Sequence, residues 1–116
     1  MTVTVKEQMT EVHNVLNTLV DSTEHLTTLA KADEFEQSIY IFTSLIEGIE
    51  AVFKALTHFD IDVVQEMKEI EQTLPNIAKA FENEALEEIV VLSETSLSPA
   101  LIAMSEKYET ALQNIK

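Results

Sequence analysis

Apolar positions recur in alternating steps of four and three through Val5, Met9, Val12, Leu16, Leu19, Thr23, Leu26 and Ala30. That spacing keeps them on one side of a helix with 3.6 residues per turn. Val15, Val20 and Leu29 flank the series and widen it into the broad stripe of a bundle helix, not the narrow seam of a two-stranded coiled coil. The pattern breaks at "KADEF". There Asp33 is expected to cap a second helix, with Glu34 and Glu36 near the positive end of its dipole.

The second helix carries two such series. One runs through Phe35, Ile39, Phe42, Ile46, Ile49, Phe53 and Leu56; the other runs through Ile41, Leu45, Gly48, Val52, Ala55 and Phe59 on an adjoining face. Two seams require two things to pack against, either two neighbours within the fold or one neighbour and a partner chain. Gly48, the only glycine, lies in the second series. A glycine inside a helix costs about 1 kcal/mol relative to alanine, so close approach of another backbone is expected there.

"HFDID" is the next break, with Asp60 or Asp62 as the cap. A third seam follows through Val63, Met67, Ile70, Leu74, Ile77 and Phe81. Pro75 falls inside it and predicts a kink or a fresh helix start near Thr73. Apolar positions continue through Ala85, Ile89 and Leu92. The clearest boundary is expected at "LSPAL", with Ser98 as N-cap and Pro99 at the first helical position. Leu101, Met104, Tyr108, Leu112 and Ile115 then mark a last amphipathic helix.

These elements predict an all-α fold, an antiparallel bundle of four helices, or five if the region before Ser98 divides. No linker separates domains, so residues 1–116 form a single helical-bundle domain. One Gly and two Pro leave little turn chemistry for a sheet protein, and 116 residues suffice for one hydrophobic core.

Charge narrows the classes of partner. Seven Lys, no Arg and 21 acidic residues give a net charge of −14, spread along the chain without an acidic tail. Such a surface repels phosphate backbones and anionic lipid headgroups, which argues against nucleic-acid and membrane binding. The N-terminal "MTVTVKEQMTEV" lacks the basic and apolar regions of a signal peptide, and no apolar run approaches the roughly 20 residues of a membrane span. A cytoplasmic location is expected. Without cysteine there are no disulfides or thiolate metal sites.

Catalytic signatures do not emerge. His13, His25 and His58 have no Glu three positions earlier, as a carboxylate-bridged di-iron bundle would require, and HExxH is absent. Acids cluster in "DEFE", "DID", "EMKEIE" and "ENEALEE", but they read as helix-end charge and solvated faces. No catalytic, cofactor-binding or metal-binding residue is assigned, and no cofactor is expected. Tyr40 and Tyr108 are candidate contact anchors, equally readable as boundary aromatics.

The sequence therefore favours a non-enzymatic protein–protein interaction module, chaperone- or adaptor-like in format. It would bind a client helix, or itself as a homodimer, through Ile41, Leu45, Gly48, Val52, Ala55 and Phe59. A closed monomer results instead if the last helix covers that face. An acidic inhibitor or immunity-type protein that blocks a basic site is the alternative, followed by a carboxylate-metal enzyme.

Overall fold

The computed structural model describes residues 4–56, 59 and 61–114. Every regular element among them is helical: α1 (Val5–Lys31), α2 (Phe35–Leu56), α3 (Val64–Glu82), α4 (Leu86–Leu92), a π-helical turn (Ser93–Leu97) and α5 (Ser98–Gln113). The π turn joins α4 and α5 into one rod of 28 residues. Four rods result, the number expected from the hydrophobic periodicity, but the break falls between Glu82 and Leu86 and not before Ser98.

Two boundaries are built alike. Glu34 N–H bonds Leu29 O and Asp33 N–H bonds Ala30 O at the end of α1; Ala85 N–H bonds Ala80 O and Glu84 N–H bonds Phe81 O at the end of α3. Each is the paired closure that glycine usually permits. Here Asp33 (φ 62°) and Glu84 (φ 54°) adopt the left-handed conformation instead. Asp33 thus terminates α1 and does not cap α2. At the next boundary the N-cap of α3 is Val63, and Asp62 Oδ1 accepts from Val64 N–H at 3.4 Å. Asp60, like His58 and Ile115, lies outside the described residues.

The helix start expected at Ser98 is absent. Ser98 is fully helical and makes no side-chain cap; its N–H reaches back five residues to Ser93 O. In an α-helix the ring of Pro99 would strike the carbonyl of Thr95 and leave it without a donor. The wider π turn just before the proline relieves that clash, so the rod continues. Helix α3 likewise runs through Pro75, which is exposed. The carbonyl of Glu71, deprived of its partner, is on the solvent side, where water can take the bond.

The α4–α5 rod is the one helix among the described residues long and apolar enough, by length and composition, to cross a membrane. Part of its apolar surface is turned into the bundle core. Ile89, Leu97, Leu101, Met104 and Tyr108 are all buried there, alongside Leu16, Leu26, Leu45, Ile49, Ile70 and Ile77.

Packing among the rods is uneven. Helix α1 lies along α2 on one side and α5 on the other, and α3 packs against α4, the π turn and α5. The remaining pair, α2 and α3, touch only sparsely. Three sides of the four-rod bundle are closed, and the fourth is open.

Candidate docking groove between α2 and α3

The buried stripe of α2 is Ser38, Phe42, Leu45, Ile49 and Val52. It draws alternate members from both apolar series, because the centre of the buried face lies between them. Leu45 and Val52, expected to meet a partner, are core residues, 0% and 3% exposed. Ile41, Gly48, Ala55 and Phe59 are half-buried.

What covers this side of α2 is not the last helix alone. Leu19 of α1 fills the notch at Gly48, so close that a Cβ there would stand 2.5 Å from Leu19 Cδ2. The close approach expected at the glycine is thus a side chain and not a backbone. Phe59 meets Tyr108 of α5 edge-on, with ring centroids 6.2 Å apart.

The other margin of α2 faces the open side. Phe35, Ile46 and Phe53 are half-buried and Ile39 is 38% exposed. Helix α3 mirrors this arrangement: its buried stripe includes Glu66, Ile70, Thr73, Ile77 and Ala80, while Met67, Leu74 and Ala78 are half-exposed beside it. At one end the two helices are pinned by aromatic contacts, Phe35 with Phe81 at 5.9 Å and Phe42 with Phe81 at 5.2 Å between centroids. An open cleft of about 480 Å³ lies here, lined by Phe35, Ile39, Phe42, Ala78 and Phe81, with Glu82 and Glu84 at its edge. Helical periodicity carries the same margin onward to Ile46 and Phe53 on α2 and to Leu74 and Met67 on α3.

The acidic residues nearest the groove are set by the same spacing. Residues three or four apart on a helix are surface neighbours. Among the half-exposed groove residues, Ile39 has Glu36 as such a neighbour, Ile46 and Phe53 have Glu50, Met67 and Leu74 have Glu71, and Ala78 has Glu82. All four acids are exposed; Lys54, about five turns after Glu36, is the one lysine of α2 at the same helical angle, and no lysine of α3 lies three or four residues from Met67, Leu74 or Ala78. The groove is apolar inside and carries net negative charge on both rims, with Lys54 toward the far end of α2.

Residues 7–107 match a protein family described as Domain of unknown function (DUF8042). The chain belongs to that family. The matched DUF8042 segment contains all of α2 and α3, and therefore both walls of the groove. No curated protein and no solved structure matches the chain.

Elsewhere in the DUF8042 chain, polar groups are mostly structural. Thr23 and Thr27 in α1, Ser38 in α2 and Thr73 in α3 each bond the carbonyl four residues back, which lets hydroxyls occupy buried positions. Ser105 donates to Asn17 Oδ1 at 2.6 Å and ties α5 to α1. Lys107 pairs with the largely buried Glu66 and donates to Asp62 O at 2.9 Å, holding α5 against the start of α3. Glu66 Oε2, Ser93 Oγ and the Tyr108 hydroxyl are buried without a hydrogen-bond partner. Burial pushes Tyr108 up to about 12. Of the other residues singled out from the sequence, Tyr40 is 73% exposed on the far face of α2, His25 is exposed and His13 half-buried. Among the described residues no three His, Asp or Glu side chains converge as a metal site.

Proposed function

We propose that the chain is a non-enzymatic protein-binding module, chaperone- or adaptor-like, that shelters an apolar segment of another protein between α2 and α3. The observation that carries this reading is the open fourth side of the bundle. In a closed four-helix bundle α2 and α3 would pack along their length as the other neighbouring rods do, whereas here they touch only sparsely. Here Phe35, Ile46 and Phe53 stay half-buried and Ile39 is 38% exposed on one margin set by helical spacing, opposite the half-buried Met67, Leu74 and Ala78. Contiguous apolar surface of this kind is characteristic of interaction sites.

On this reading the contact falls to the outer members of the first apolar series, since Leu45 and Val52 of the second are buried. A cytoplasmic location accords with the reading. The inhibitor reading has weaker support, because it needs only surface charge and leaves the groove unused.

The test compares the wild-type chain with Ile39→Ser, and with Val91→Ser as a control at an apolar position exposed away from the groove, 56% exposed. Each is immobilised and exposed to extract of the source cells. A protein retained by the wild type and the control but lost from Ile39→Ser supports the reading. Identical retention by all three contradicts it.

A further inference from the structure

The rims of the groove say more about its occupant. Resting on the reading of the α2–α3 groove as a docking site, we infer that its partner is a single amphipathic helix whose apolar stripe is bordered by Lys or Arg, and not a second copy of this chain. Glu36 and Glu50 edge the α2 wall, Glu71 and Glu82 edge the α3 wall, and Glu84 stands at the end of the cleft. All are exposed carboxylates beside apolar surface. A basic-flanked helix presents its charges to both rims at once, while its stripe covers Ile39 and Ile46.

A second copy would set the same acids against one another, on chains that each carry −14. Like charges facing across an interface oppose association. A strand has no sheet edge to add to, because the described elements are all helical. Length is also defined: Phe35 to Phe53 covers about 27 Å of helix rise, matched by a helix of roughly 18 residues.

The probe is a synthetic, end-capped peptide of about 18 residues, built from Leu, Ala and Lys. Its leucines follow helical spacing and its lysines border them. One control replaces every Lys by Glu; a second keeps the composition but scrambles the order, so that no stripe forms. Binding to the full chain is followed by peptide fluorescence anisotropy and by backbone amide shifts.

The Lys peptide is expected to bind at least tenfold more tightly than either control, with shifts gathered along α2 and α3 and affinity falling as salt rises. Ile39→Ser combined with Ile46→Ser should weaken it at least tenfold. Glu36→Lys combined with Glu82→Lys, which touches only exposed positions, should move the preference toward the Glu peptide. Equal binding of the Lys and Glu peptides, both sensitive to the Ile39 and Ile46 changes, would overturn the basic partner and leave the groove reading standing. Equal binding of the scrambled peptide, or binding unaffected by the paired Ile changes, would overturn docking in the groove. Failure of every peptide to bind would overturn both.

Discussion

Leu19 of α1 occupies the notch that Gly48 opens in α2, and a β-carbon at position 48 would come within 2.5 Å of its Cδ2. Helix propensity and packing therefore oppose each other at this one residue. Alanine would gain about 1 kcal/mol in the helix, while overpacking a filled core position costs about 1–3 kcal/mol. Gly48→Ala should lower stability by about 1 kcal/mol in the wild type. In a Leu19→Ala background the collision is gone, so the same change should raise stability by about 1 kcal/mol. Urea denaturation of the four chains of this cycle reads the change of sign directly.

The two left-handed residues differ in cost. Asp tolerates that conformation better than Glu, because its short side chain can bond its own backbone. Glu84→Gly should therefore stabilise the fold by about 1 kcal/mol, and Asp33→Gly should do so by less. Thermal melts of the two variants, compared with wild type, check both the direction and the order.

Lys107 holds Glu66, which is buried to 9% exposure and has one oxygen already unpartnered. Removing the lysine leaves a carboxylate in the core edge without its cation. Lys107→Met should cost about 2 kcal/mol, discounted because the lysine itself is partly solvated. Glu66→Gln in the Lys107→Met background should recover part of that loss, since no charge then remains uncompensated. The exposed pair of Lys31 and Glu94, 2.8 Å apart, should contribute little by comparison, and Lys31→Met serves as the contrast in the same urea series.

Burial disfavours the phenolate of Tyr108 and pushes its pKa from the ordinary 10 up to about 12. The folded form thus holds the proton more firmly than the unfolded chain. Stability from this group is fully present below pH 10 and is lost as pH rises toward about 12. Tyr108→Phe should remove that part of the alkaline loss. At neutral pH it should leave stability unchanged or slightly raised, because the hydroxyl it deletes has no partner. Chemical denaturation at pH 7, 10 and 11.5 is the check.

Much of the fold was legible in the sequence. On α1, Met9, Val12, Leu16, Leu19, Leu26 and Ala30 all reach the core, because a wide stripe on a long helix leaves one way to face inward. The face of α2 was harder to place. Its buried line runs through Ser38, and that of α3 through Glu66 and Thr73. These polar residues occupy core positions by bonding a carbonyl one turn back or by pairing with Lys107. Read as surface positions, they displaced the expected centre of each face. The apolar spacing alone therefore points Leu45 and Val52 toward a partner and Ile39, Ile46, Met67 and Leu74 inward, whereas the first two are core residues and the other four edge the groove. The joining of α4 and α5 was hidden for a different reason. Ser-Pro is a favoured helix start, and only the π turn at Ser93–Leu97 makes it compatible with a helix interior.

Helix α2 is shielded on the side of Leu45 and open on the side of Ile39, and paired charge insertions on the two sides separate these environments. Thermal unfolding followed by helical circular dichroism should show Ile39→Glu melting within a few degrees of the wild type, because its carboxylate stays in water. Leu45→Glu, which buries an unpaired charge at a cost of about 3–5 kcal/mol, should lose cooperative unfolding or most of its helix. A fully folded Leu45→Glu chain, or an Ile39→Glu chain as damaged as Leu45→Glu, would contradict the account.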